Sequence, residues 1–311
     1  MFLENAFKPN NDFFKYLIGS VLIISASFVG QIPLGIGIFF KCLSDGIPFP
    51  TDQNELMLVL ESNLTFFLIM ISFVFAFFAI ILVVRYLHKQ TLLEITTSRK
   101  KIDWKRIFFS FSIWGIIVIL STIVGYYSSP EEYELNFKPI PFAILAVIAI
   151  ILVPIQTSVE EYVFRGYLMQ GFALLAKNRW FPLLMTSLIF GSLHIFNPEV
   201  AKMGYIILVY YIGTGLFLGV ITLMDEGLEL ALGFHAANNL FTALLVTSEW
   251  TVFQTHSVLK STAEPTAGLD VIIPVFVIFP ILLIIFGKRY QWTNWKEKLT
   301  GKIHIEQENV T

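Results

Sequence analysis

The chain has 311 residues, 56% hydrophobic and 14% charged, with a mean hydropathy of +0.72 and a net charge of −2. A soluble globular domain carries about 25% charged residues, so this composition excludes one, and the near-neutral charge excludes a polyanionic partner such as nucleic acid. A single cysteine, Cys42, excludes an intrachain disulfide.

About 20 apolar residues are needed to cross a bilayer. Eight stretches are candidates, near 15–40, 64–86, 107–127, 141–173, 181–197, 203–224, 228–248 and 270–287. The fold class expected is therefore all-α, a polytopic membrane protein of about eight transmembrane helices. The first stretch reads as a span and not as a cleavable signal, being too long for an h-region. It holds Pro33 with glycines nearby, which predicts a kink or a loosened outer end. The fourth is too long for one straight span and holds Pro154, so it should tilt, kink or protrude. The fifth is short.

Lysine and arginine set the orientation. The loop after span two carries Arg85, Lys89, Arg99, Lys100, Lys101, Lys105 and Arg106; the end after span eight carries Lys288, Arg289, Lys296, Lys298 and Lys302. Lys8, Lys15, Lys177 and Arg179 fall on the same side, and the other side has Lys41, Lys138, Lys202 and Lys260. Both termini are therefore expected in the cytoplasm. The polar tail, Lys288 to Thr311, reads as a short, partly ordered cytoplasmic end. Trp292 and Trp295 beside Lys296 read as an interfacial anchor. Gly213, Gly215 and Gly219 in span six read as close helix packing through small residues.

Span four carries three charges in SVEEYVFRGYL: Glu160, Glu161 and Arg165. A charge at the bilayer centre costs roughly 2.5–3.5 kcal/mol on insertion scales. Glu161 and Arg165 are i and i+4, so they can pair on one helix face. Glu160 lies about 100° away and is left to face something else. Of the five histidines, His88 and His304 fall on the basic side, His256 falls in an outer loop, and His194 and His235 lie within spans. His194, in IFGSLHIF, shares a face with Phe190; His235, in GFHAANNL, shares one with Asn239. Helical depth lets Glu160, His194, His235 and Asn239 meet in one polar pocket.

Chemically this set suffices for hydrolysis by water. A glutamate out of bulk solvent can act as general base, one histidine can hold the water, and a second histidine with an amide can donate to an oxyanion. The same groups suit a divalent metal such as zinc, with Glu160, His194 and His235 as ligands. A transporter also uses intramembrane Glu, Arg and His, but the first four spans hold no counterpart of this set and so no inverted repeat. A non-catalytic regulatory scaffold is the other alternative; it would tolerate loss of Glu160. HExxH, GxSG and GxGD are absent, which counts against three other classes of intramembrane protease.

EEYVFR matches EExxxR, FGSLH matches FxxxH and HAANN matches HxxxN. In this order the motifs resemble the CPBP family (CAAX-processing and bacteriocin-processing, Abi, or type II CAAX prenyl endopeptidase) of intramembrane proteases, over roughly Phe142 to Val246. The resemblance implies a catalytic helical core over 141–250, preceded by three helices and loops over 1–140 and followed by an outer loop, a last helix and a tail over 251–311. It implies that Glu160 activates water, that His194 helps hold it, and that His235 and Asn239 form the oxyanion site. Glu161, Arg165 and Phe190 would have supporting roles. The implied partners are membrane lipids and a membrane-attached peptide or protein, with the pocket reached from the cytoplasmic side or the inner leaflet.

Overall fold

The computed structural model describes residues 2–8, 11–265 and 268–303; His304 and the end of the tail lie outside the described residues. Eight main helices follow in order: α1 Phe13–Asp45, α2 Ser62–Leu87, α3 Trp104–Ser128, α4 Pro139–Ala176, α5 Trp180–Phe196, α6 Ile207–Asp225, α7 Glu229–Leu245 and α8 Val271–Tyr290. Large apolar side chains such as Phe14, Phe28, Phe78, Ile140 and Phe276 stay exposed along them. An aqueous surface would not carry such a belt; a lipid-facing one does. The chain is a multi-pass integral membrane protein.

Eight spans were expected; among the described residues six helices are long and apolar enough to cross a bilayer by length and composition: α1, α2, α3, α4, α6 and α8. Both α5 and α7, read as spans five and seven, are shorter. Every residue of α7 from Glu229 to Ala237 is buried, because α3, α4 and α6 pack around it. A helix enclosed by protein needs neither the length nor the apolar surface of one that meets lipid.

Local chemistry sets the boundaries. Asp12 caps α1 by accepting from the Lys15 amide at 3.0 Å, Glu61 caps α2 through Leu64, and Asp103 caps α3 through Lys105. Gly46, at φ 66°, ends α1 in the left-handed region where a Cβ is costly. Pro33 lies within α1, which continues to Asp45. In α4 the irregularity is a wide, π-type turn over Tyr162–Leu168 that follows Glu161. Such turns shift the register of everything after them and recur at functional sites.

The bundle has two unlike ends. At the basic end Arg99 reaches Asp225 and Glu229, each at 3.0 Å, and Arg106 also bonds to Asp225. Trp292 donates to Asp225 at 3.1 Å and is itself buried, so it is not the interfacial anchor expected of it. At the other end is a three-stranded sheet that hydropathy did not foresee. Its strands are β1 Tyr133–Leu135, β2 Val246–Thr247 and β3 Leu259–Ser261, with β3 central, antiparallel to β1 and parallel to β2. Between the ends, Trp114, Phe217, Phe234 and Phe279 form an aromatic core joining α3, α6, α7 and α8.

Candidate active site

Glu161 and Arg165 are one turn apart at the start of the wide turn, and they pair at 2.9 Å with both side chains fully buried. Arg165 also donates to the Gly215 carbonyl at 3.1 Å and lies 4.4 Å over the Phe190 ring. Gly215 makes this approach feasible: a Cβ there would meet the Ser187 backbone at 3.0 Å and Phe190 at 3.3 Å. The small-residue reading of span six therefore holds, and it brings α6 against both Arg165 and α5.

Glu160 points elsewhere, as helical geometry requires, with its side chain 20% exposed against 0% for Glu161. It lines a cavity of about 610 Å³ shared with His194, His235 and Asn239. His235 sits between the two glutamates, with Nδ1 at 2.7 Å from Glu161 and Nε2 at 3.4 Å from Glu160. Glu161 thus anchors Arg165 and His235 together. A carboxylate only accepts, so Nδ1 of His235 carries a proton toward it. His194 has Nδ1 at 2.7 Å from the Phe190 carbonyl, which likewise fixes a proton there and leaves Nε2 for the cavity. The His194 ring stacks on Tyr211, with centroids 4.1 Å apart.

Asn239 is not unengaged, as an amide awaiting an oxyanion would be. Its Nδ2 donates to Gln156 Oε1 at 3.0 Å, and Gln156 donates in turn to Glu160 at 2.5 Å. Gln156 was missed by sequence reasoning, although it lies one turn before Glu160 on the same face. Asn238, which donates to Asn239 at 3.0 Å, was missed in the same way. Glu199, also unforeseen, reaches across the far wall to accept from the Val252 amide at 3.0 Å. Burial pushes the Glu199 carboxyl up from its ordinary value, with the Val252 hydrogen bond opposing.

Glu160, His194 and His235 line one cavity, and among the described residues no group of three or more His, Cys, Asp or Glu is placed to hold a metal ion. The cavity wall leads from Glu160 to Asn197, Glu199, Thr251, Val252 and Phe253, at the sheet end. At the basic end lie the Arg99–Asp225–Glu229 cluster and the pairing of Thr97 with Gly227.

A family model described as type II CAAX prenyl endopeptidase Rce1-like matches residues 139–241, which span α4 to most of α7. The Bacillus subtilis (strain 168) protein named Uncharacterized protein YyaK is 30% identical over 246 residues, 78% of this chain and 81% of that protein. No solved structure matches.

Proposed function

The chain belongs to the Rce1-like family of type II CAAX prenyl endopeptidases, a family of proteases, and from that premise we propose that it is an intramembrane endopeptidase acting on a membrane-attached peptide or protein. The observation that carries this reading is the division of labour between adjacent glutamates. Glu161 is sealed against Arg165 and His235, while Glu160 keeps a partly exposed carboxylate on the cavity wall.

The reaction follows from the hydrogen-bonding capacity of each group. Water lies between Glu160 and Nε2 of His194, which accepts one of its protons in a hydrogen bond. Glu160 takes the other proton, and the oxygen adds to the scissile carbonyl carbon. The resulting oxyanion accepts from the second N–H of Asn239 and from Nε2–H of His235, whose contact with Glu160 is long enough to yield to an incoming oxygen. This requires the doubly protonated form of His235. Two carboxylates then face two cations, so the buried group is balanced in charge. Collapse breaks the C–N bond, and the leaving amine receives the proton held by Glu160. No step is routed through a metal.

The cavity also suggests the substrate class. Beside the polar wall it has an apolar arm, formed by Ile23, Ile24, Phe73, Val163 and Phe164. A peptide that carries a lipid near its cleavage site would satisfy both halves. Both termini are assigned to the cytoplasm from the lysine and arginine bias. The test is a cleavage assay of purified protein on matched peptides with and without a prenylated cysteine, comparing wild type with Glu160→Gln. Turnover by wild type alone supports the reading; equal turnover by both removes it.

A further inference from the structure

Hydrogen bonds continue from the site into a helix that the family match does not reach. The Trp114 indole on α3 donates to Asn238 Oδ1 at 3.0 Å. Asn238 donates to Asn239 Oδ1 at 3.0 Å, Asn239 to Gln156 Oε1 at 3.0 Å, and Gln156 to Glu160 Oε1 at 2.5 Å. Tyr210 adds a second, longer donor to Asn238 Oδ1, at 3.5 Å.

The direction of this chain is determined by its two ends. An indole nitrogen can only donate, and an ionised carboxylate can only accept. Between them, three carboxamides must align head to tail. Turning any one of them over would set donor against donor or acceptor against acceptor in a buried place, at a cost of roughly 1–3 kcal/mol for each unsatisfied group. The donor-only indole therefore dictates how Asn238 faces, hence how Asn239 presents its N–H groups, hence which end of Gln156 meets Glu160. Trp114 and Gln156 are themselves buried, while Asn238 and Asn239 are half-buried on the cavity wall.

We propose that Trp114, Asn238 and Gln156 are positioning residues, a polarised amide chain that holds the Glu160 carboxylate and the Asn239 amide in one fixed mutual orientation. This rests on the reading of Glu160 as the base. It also assigns α3 a function, because that helix supplies the donor that sets the polarity of the site. Alignment of reacting groups carries much of the rate in enzymes, and small misplacements are felt strongly.

The test uses the full-length protein in detergent and three variants. Gln156→Met keeps the side chain's length and removes both of its hydrogen bonds. Trp114→Phe/Tyr210→Phe keeps the rings and removes both donors to Asn238. Trp292→Phe, at the basic end, controls for the general loss of a tryptophan. With the prenylated peptide cleaved by wild type, the first two variants should lower kcat at least tenfold and leave KM within twofold. The acidic limb of the kcat–pH profile should move to higher pH in Gln156→Met, because ionised Glu160 has lost a donor. Trp292→Phe should leave kcat unchanged. A kcat within twofold of wild type and an unmoved profile in both site variants overturn the proposal, whatever their Tm. The second readout needs no turnover: the Trp114 indole resonance in ¹⁵N-tryptophan-labelled protein, assigned by its loss in Trp114→Phe. Hydrogen bonds in a chain polarise one another, so Gln156→Met should shift this resonance. Should wild type cleave nothing, or Glu160→Gln remain active, the protease reading falls and the indole signal decides alone; an unmoved resonance then overturns the chain.

Discussion

Glu161 accepts from Arg165 at 2.9 Å through the same oxygen that faces His235 at 2.7 Å. One carboxylate therefore fixes a cation and an imidazole within a site where water cannot replace either. Removing its charge by Glu161→Gln leaves the Arg165 guanidinium buried without its counter-ion, at a cost of roughly 3–5 kcal/mol. The expected outcome is a large fall in Tm and in the yield of folded protein, measured by thermal unfolding in detergent. Glu160→Gln removes a partly exposed carboxylate and should keep a Tm close to wild type. Equal losses in the two variants would mean that the adjacent glutamates do not divide their roles.

The packing of α7 on α3 makes a second expectation. Gly233 lies two residues before His235, and a Cβ at that position would meet the Ile107 carbonyl oxygen at 2.1 Å and its carbon at 2.9 Å. These are backbone atoms, which cannot swing aside as a side-chain tip can. Gly233→Ala should therefore push α7 off α3 and destabilise by about 1–3 kcal/mol, the usual range for overpacking. It should also reduce kcat, since Trp114 on α3 and Asn238 on α7 would separate. A variant with wild-type Tm and kcat would show that the two helices are not held so closely.

Much of the site could be read before the fold was known, for a physical reason. The Glu161–Arg165 pair, the opposite facing of Glu160, and the sharing of a face by His194 and Phe190 depend only on helical period. Relations between helices were harder. Gln156, Asn238 and Trp114 gain their meaning from hydrogen bonds across α3, α4 and α7, and no spacing within one helix encodes those. Hydropathy measures apolar length and does not distinguish lipid from protein as the neighbour, and it gave no sign that the first half of α7, read as a span, is buried all round. Trp292 met the composition rule for an interfacial anchor, yet its N–H is engaged with Asp225. The ion-pair cluster at the basic end was hidden for the same reason: charge counts give the sidedness of a loop but not where it folds.

His88 predicts a pH dependence of stability outside the catalytic site. Its ring is buried between Asn11 and the Tyr167 hydroxyl, each at 2.8 Å. Burial, reinforced by the Lys15 charge and opposed by Asp12, pushes it from 6.5 down to about 4. Between those values the unfolded chain binds a proton that the folded chain does not, so stability must rise with pH across that window and is fully present above about 6.5. The slope from this group is at most about 1.4 kcal/mol per pH unit. Thermal unfolding from pH 4.5 to 8 should show Tm falling on the acid side. His88→Gln, which keeps a polar side chain there, should flatten that fall; an unchanged slope would remove His88 as its source.

The direction of approach to Glu160 can be tested with single cysteines. The cavity wall continues to Thr251 and Phe253, while Arg99, Arg106, Asp225 and Glu229 form an ion-pair cluster at the opposite end. Cys42 is buried and is replaced by serine to leave a clean background. In that background Lys100→Cys, at an exposed position of the basic loop, marks one membrane face, and Thr251→Cys should mark the other. Glu160→Cys then reports the side from which the site is reached. A membrane-impermeant thiol reagent should label Glu160→Cys and Thr251→Cys from the same side of sealed vesicles, and Lys100→Cys from the opposite side. With the basic end in the cytoplasm, inside-out vesicles should react at Lys100→Cys alone. Labelling of Glu160→Cys from the Lys100 side would show that the site is reached past the ion-pair cluster and not from the sheet end. Prior addition of a cleaved prenylated peptide should slow labelling at Thr251→Cys but not at Lys100→Cys, because the substrate's path runs past the first and not the second.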